Sequence, residues 1–220
     1  MKTGSPNYSF GILAALALIA IAVEPAAAQY GRSERAGLPL PWENDRIGVS
    51  WISVDPGRSV PAGAGAGRVL VYLTAGPDGV MAPEAVWQSA GEGEAPNRGG
   101  VRLEALAIDV KDAPAASAGE TPLEALPATD DMKVWTLVDN PRVLVTRHRY
   151  APGTYYNAPH FHEQDVLVVY LSGGSSWPLS GGWGANRVRR GDVDVIPANT
   201  FHPLGNAGGD PIEFLLIVPR

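Results

Sequence analysis

The sequence repeats itself at an offset of 96 residues, and this repeat constrains the fold more than any other feature. Residues 44–57 align with residues 140–153 over fourteen positions without a gap. Two further pairs of segments match after small changes of offset, 70–73 with 168–171 and 103–108 with 212–217. We therefore predict that the chain holds two copies of one folding unit.

The composition indicates which kind of unit is repeated. The chain contains 26 glycines and 20 prolines, which mark turns and interrupt helices. Short β-branched runs lie between them, and at least seven such runs follow residue 132. This pattern predicts an all-β protein with short strands, of the kind that closes into small barrels.

The first 28 residues have the pattern of a secretory signal peptide. Lys2 gives a positive start, residues 11–23 form an apolar run, and three alanines at 26–28 suit cleavage. The apolar run is too short to cross a bilayer, so we predict a periplasmic or secreted protein without a membrane anchor. A buried N-terminal helix is the alternative. The net charge of −6 argues against a nucleic-acid partner.

The expected organisation follows from the repeat and from the changes in composition. After the signal peptide (1–28) we expect a tail (29–43), a first copy (44–111), a linker (112–132) and a second copy (133–220).

Three of the four histidines lie in two segments of the second copy. His160 and His162 are two residues apart in a segment with strand character, so their side chains leave the same face. His202 follows another strand about forty residues later, and an antiparallel return can place it beside the pair. Three converging imidazoles are a ligand set for a divalent metal. The alternative is that they are satisfied polar residues in a barrel that has lost its metal.

These two segments resemble the paired motifs of the cupin superfamily. The matching positions of the first motif are Gly153, His160, His162 and Gly173, and those of the second are Gly191, Pro197, His202 and Asn206. The resemblance covers residues 133–220 directly and 44–110 only through the repeat. It implies two cupin-type jelly-roll β-barrels, a bicupin arrangement in which the N-terminal copy is degenerate.

The second copy departs from the family pattern at two positions. Asn199 stands where the family has glycine, and asparagine tolerates the positive φ that this turn needs. The metal-binding glutamate of the first motif would fall at Val166 or Leu167, neither of which can bind a metal, so we expect a site of three histidines. Glu163 and Asp165 have the opposite strand parity and should point outward, unless a one-residue slip turns Asp165 inward.

The first copy lacks the residues that would bind a metal. Residues 61–67 read Pro-Ala-Gly-Ala-Gly-Ala-Gly where the second copy has its histidines, and residues 91–100 show no second-motif pattern. We expect this copy to stabilise its neighbour. In the second copy, His148 and the arginines at 187, 189 and 190 are interpreted as residues of solvated faces.

The resemblance also implies a range of functions. Three histidines resemble the metal site of the Fe(II)-dependent dioxygenases of this family, which implies such an activity on a small anionic substrate. Iron is the favoured metal, with manganese or zinc as alternatives. A zinc ion would suit a hydrolase. Tyr170 is the candidate catalytic residue, or else a core tyrosine, since Tyr72 repeats it. Whether the protein is an enzyme stays open: a non-catalytic sensor, carrier or structural module is the alternative. The expected partner is a small molecule, in a monomer or homodimer.

Overall fold

A computed structural model describes residues 38–63, 65–75, 85–92, 96–112, 130–176 and 186–220, without the side chains of 156–160 and 203–204. The regular structure in these residues consists of β-strands. In the first half they are β1 (Trp42–Glu43), β2 (Ile47–Val54), β3 (Gly67–Tyr72), β4 (Ala85–Ser89) and β5 (Leu103–Val110). In the second half they are β6 (Met132–Asn140), β7 (Val143–Tyr150), β8 (Tyr155–His160), β9 (Val166–Tyr170), β10 (Gly174–Ser176), β11 (Asn186–Val188), β12 (Val193–Ile196), β13 (His202–Gly205) and β14 (Ile212–Pro219).

Each half contributes one five-stranded antiparallel sheet, and the two sheets have the same strand order. The orders are β1-β2-β5-β3-β4 and β6-β7-β14-β9-β12. The register agrees as well, because Ile47 pairs with Val110 in the first sheet and Val143 pairs with Pro219 at the equivalent place in the second. The prediction of an all-β jelly-roll fold is confirmed. The sequence repeat therefore corresponds to a repeated strand topology.

Strand alternation divides the buried residues into three layers. Along β7, Val143 and Val145 face one side while Leu144 and Tyr150 face the other. The first side packs against the equivalent face of the N-terminal sheet, including Val49 of β2, and forms a core shared by both halves. Each sheet also covers a core of its own on its other face. Burial of both faces explains the nearly continuous apolar runs of β3, β9 and β14.

Arg190 is hydrogen-bonded to both halves, at the ends of the equivalent strands β3 and β9. Its guanidinium donates hydrogen bonds to the carbonyl oxygens of Leu73 (3.0 Å) and Tyr72 (3.3 Å) in the first half and of Leu171 (2.7 Å) in the second. Arg190 is exposed, which agrees with its interpretation as part of a solvated strand edge. Its hydrogen bonds were not predicted, and they satisfy carbonyl groups that the ends of the strands leave unpaired.

The first half retains one residue of the second motif that the sequence comparison missed. Asn206 is fully buried, and its amide donates to the carbonyl oxygens of Tyr150, Ala151 and Asp210. Asn97 is buried too and donates to Val54 and Val101, which are the repeat equivalents of Tyr150 and Asp210. Asn206 and Asn97 therefore have the same structural role, because each satisfies buried backbone groups of its own half.

Several predicted segments lie outside the described residues. They include the signal peptide (1–28), most of the tail and most of the linker, so the domain boundaries stay a prediction. Within the described residues, no helix is long and apolar enough to span a membrane.

Candidate metal centre

Strand pairing brings the histidines of the two motifs together. β8 and β13 form an antiparallel pair in which His202 lies opposite His160. His162 follows β8 by two residues, and both His162 and His202 are buried. The ring of His160 is outside the described side chains, so only the pairing of its backbone with that of His202 is described.

The rings of His162 and His202 are close and shielded from solvent. Their centroids are 5.1 Å apart, and the residues are 5 % and 0 % exposed. Two imidazoles bound to one ion at bond lengths of about 2.1 Å have centroids about 5 Å apart. The centroid separation of the described pair therefore agrees with the value expected for two ligands of one ion.

A hydrogen bond determines which nitrogen of His202 can bind a metal. Nδ1 of His202 lies 3.0 Å from the carbonyl oxygen of Thr200. Because a carbonyl only accepts, Nδ1 must carry the proton. In the neutral ring Nε2 then presents its lone pair, as in metal-binding histidines whose second nitrogen is held by the backbone.

The turn before His202 has the predicted conformation. Asn199 adopts a φ of 56°, which confirms that this position needs the left-handed region. Its backbone N–H donates to the carbonyl oxygen of His162 at 2.7 Å. The segments that carry His162 and His202 are thereby joined directly.

The acidic residues of the first motif lie in the loop between β8 and β9, and neither belongs to the core of the second half. Glu163 is exposed. Asp165 accepts hydrogen bonds from the backbone N–H of Ala198 (2.8 Å) and from the side chain of Asn44 (2.9 Å). Val166, at the position of the missing glutamate, is fully buried among apolar side chains. Asp165 therefore stabilises the turn of the second motif.

The described residues do not by themselves complete a metal site. Among them, no group of three His, Cys, Asp or Glu side chains is close enough to hold an ion. The third ligand of the predicted set is His160, whose side chain is not described. The pair formed by His162 and His202 is thus the part of the set whose side chains the structure describes.

His148 was expected on a solvated face, and this expectation was wrong. The residue is fully buried, its ring stacks on Phe214 at 5.1 Å, and Nε2 lies 2.9 Å from the hydroxyl of Thr146. Burial lowers the pKa of His148 to about 3, so the ring is neutral. Strand alternation was the available signal, because His148 shares its parity with Leu144 and Tyr150.

Tyr170 lies in the core of the second half. It is 2 % exposed, and its hydroxyl is 3.1 Å from that of Ser176. Burial, together with the charge of Asp194, raises the pKa of Tyr170 well above its usual range. These contacts give the tyrosine a packing role, and its proposed catalytic role has no further support.

Asp194 is a carboxylate that the sequence analysis did not single out. It shares its strand parity with Ile196, which belongs to the core of the second half, and it pairs with Val168 of β9. Burial, with a contribution from Asp192, raises the pKa of Asp194 to about 6. This carboxylate makes the inner face of β12 acidic near neutral pH.

In the first half, an arginine occupies the position equivalent to Val166. Arg68 aligns with Val166, is buried, and donates from Nε to the side chain of Gln88 (2.7 Å) and from its terminal nitrogen to the carbonyl oxygen of Pro61. It also packs on Gly63, where an added Cβ would lie 2.8 Å from its Cδ atom. The glycines that replace the histidines leave room for this guanidinium.

Comparison with known proteins identifies the fold. No family model matches the sequence, and no curated protein matches it. The structure is similar to a cupin 2 conserved barrel domain protein from Leptotrichia buccalis (TM-score 0.47, 17 % identity, 81 % of this chain and 86 % of that one). It is also similar to the putative glyoxylate-induced protein from Pseudomonas aeruginosa (TM-score 0.56, 15 % identity, 84 % and 78 %). A third similar structure is the salicylate 1,2-dioxygenase from Pseudoaminobacter salicylatoxidans in complex with gentisate (TM-score 0.54, 10 % identity, 86 % and 71 %).

Proposed function

Because the chain has the jelly-roll fold of the cupin superfamily, we propose that it binds a divalent metal through His160, His162 and His202. The observation that supports this proposal is the buried pair of His162 and His202, whose rings lie 5.1 Å apart. The pairing of β8 with β13, in which the backbone of His202 lies opposite that of His160, is consistent with this ligand set. Iron is the favoured metal, with manganese or zinc as alternatives.

The proposed activity is that of a metal-dependent dioxygenase acting on a small anionic molecule. A bound divalent ion supplies Lewis acidity and open coordination positions. Three neutral histidines leave its charge uncompensated, which favours an anionic ligand. The likeness to a dioxygenase structure is consistent with this chemistry, but at 10 % identity it supports the fold alone.

The placement of the cationic residues supports a role for the metal in holding such an anion. In the described part of the second half, Arg147 and Arg149 pair with Glu213 on the side of β7 that also carries Val143 and Val145, away from the core of the second half. Arg142 and Arg220 pair with Asp112 and Asp139, and the remaining lysine and arginines of this part are exposed. An anion that enters the barrel would therefore depend on the ion for its positive charge.

A non-catalytic metal or small-ligand binding protein is the second candidate. The environment of Tyr170 favours it, because this proposed catalytic residue is packed in the core and bonded to Ser176. Under either function, we propose that the protein is exported to the periplasm or secreted. It would act on or bind a small molecule as a monomer or homodimer.

Metal analysis of the purified protein tests the proposal. We expect about one divalent ion per chain, lost in His162→Ala and His202→Ala and retained in the control His148→Gln. A protein that binds neither iron, manganese, zinc nor cobalt refutes the metal site. Oxygen uptake with candidate organic acids, thiols and diketones then separates the dioxygenase from the binding protein.

A further inference from the structure

A residue of the first half reaches the turn that carries the proposed metal ligands of the second half. The side-chain Nδ2 of Asn44 donates a hydrogen bond of 2.9 Å to Oδ2 of Asp165. The other oxygen of this carboxylate accepts the backbone N–H of Ala198 at 2.8 Å. Asn44, Asp165 and Ala198 therefore form a continuous hydrogen-bonded bridge from the turn before β2 to the turn of the second motif.

The orientation of Asn44 is determined by its own turn. Its Oδ1 accepts the backbone N–H groups of Arg46 and Ile47, each at 2.9 Å. Because the amide oxygen is used in this way, the NH₂ group must face Asp165. The turn thus presents a fixed donor to the carboxylate and does not rely on a mobile side chain.

The bridge ends on backbone that lies next to both described histidines. Ala198 precedes Asn199, whose N–H donates to the carbonyl oxygen of His162. Thr200, in the same turn, holds Nδ1 of His202 through its carbonyl oxygen. A shift of this turn would therefore change the separation of the two rings and the direction of the Nε2 lone pair of His202.

The repeat provides a comparison that separates this role from ordinary turn chemistry. Asn140 is the equivalent of Asn44, and its Oδ1 accepts the N–H groups of Arg142 (2.8 Å) and Val143 (3.0 Å) in the same way. The residue that aligns with Asp165 in the first half is Gly67, which has no side chain to accept a bond. Asn44 therefore meets a carboxylate of the other half, in the loop that carries His162. At the equivalent position Asn140 would meet Gly67, which offers no side-chain acceptor.

We propose that Asn44 is a positioning residue for the metal centre, acting through Asp165 on the turn that carries His202. This inference depends on the proposed metal site. The half without ligands thereby provides the outer hydrogen bond that holds the ligand geometry of its neighbour. Loss of outer hydrogen bonds around metal ligands typically lowers metal affinity by about 10–100-fold, and we expect the lower end here.

Matched serine variants test the proposal. A serine hydroxyl can still cap the turn, but it is too short to reach Asp165, so Asn44→Ser removes the bridge and keeps the turn. Asn140→Ser makes the same change at the equivalent turn away from the site. We expect Asn44→Ser to bind Co²⁺ about tenfold more weakly and with an altered visible absorption spectrum, whereas Asn140→Ser should match the unaltered protein. Urea unfolding should show a larger stability loss for Asn44→Ser, because it also loses the hydrogen bond to Asp165, so Co²⁺ binding is compared under conditions in which both variants are fully folded.

A reversed bridge provides the rescue. Asp165→Asn alone places two amide donors against each other and should weaken Co²⁺ binding. Asn44→Asp with Asp165→Asn reverses the donor and the acceptor and should restore the affinity and the spectrum. Equal Co²⁺ binding in Asn44→Ser and Asn140→Ser, or failure of the double variant to recover, refutes the role of Asn44 and leaves the metal site standing. Absence of Co²⁺ binding in the unaltered protein refutes the metal site and this role with it.

Discussion

Replacing His148 with glutamine should remove a large part of the protein's sensitivity to acid. His148 is fully buried and neutral, with a pKa of about 3 against an ordinary value of 6.5. Above pH 6.5 both the folded and the unfolded protein carry a neutral ring. As the pH falls below 6.5, the unfolded chain takes up a proton that the folded protein does not accept, so the free energy of unfolding decreases until about pH 3.

The size of the effect follows from the difference between the two pKa values. Each pH unit lowers the free energy of unfolding by about 1.4 kcal/mol, which amounts to about 5 kcal/mol over the whole range and about 2 kcal/mol at pH 5. Glutamine can keep a hydrogen bond to the hydroxyl of Thr146 but loses the ring stacking on Phe214. That loss should cost about 1 kcal/mol at pH 8. The two stability curves should therefore cross between about pH 5 and 6.

Urea unfolding of both proteins, followed by tryptophan fluorescence at several pH values from about 8 to about 4.5, measures this crossing. The comparison is made on the difference between the two proteins, because the other titrating groups are present in both and largely cancel. Stability curves that run parallel over this range would refute the argument, since they would show that His148 does not resist protonation in the fold.

Three further predictions concern stability. The pKa of Asp194 is raised to about 6, so its ionisation destabilises the fold as the pH rises from about 4 to 6. In urea unfolding, Asp194→Asn should therefore be more stable than the unaltered protein by up to about 3 kcal/mol at pH 8 and no more stable at about pH 3.5, with the exposed Asp45→Asn as control. Arg190→Met removes three hydrogen bonds to carbonyl groups and should lower stability by about 1–2 kcal/mol, whereas the exposed neighbour Arg189→Met should be neutral in the same thermal melts. Asn206→Ala and Asn97→Ala should each cost about 2–4 kcal/mol, and a neutral result for Asn97 would contradict its assignment as a structural equivalent.

The predictions that depended on local geometry were confirmed. The repeat at an offset of 96 corresponds to sheets with the same strand order, because aligned residues with the same alternation form the same strands. Strand parity predicted that Val166 faces inward, and it is fully buried in β9, whereas Asp165 lies just before the strand and is half-buried. The positive φ of Asn199 was expected from the turn after Pro197 and is observed.

The predictions that failed depended on which surfaces come together. His148 lies between two arginines in sequence, and its burial follows from the packing of the inner face of β7 against Phe214. The hydrogen bonds of Arg190 to both halves were not predicted, because nothing near it in sequence shows that strand ends of both halves converge on its side chain. Asn97 was overlooked because its neighbours do not resemble the motif, although its hydrogen bonds do.

The sequence by itself determined the strand pattern, the repeat, and the outward or inward direction of the residues around the ligands, because these properties depend on each residue and its near neighbours. Only the tertiary structure decided which face of each sheet is shared between the halves and which group from the first half meets the second. The contact between Asn44 and Asp165 spans 121 residues, so it exists only because the two sheets pack face to face.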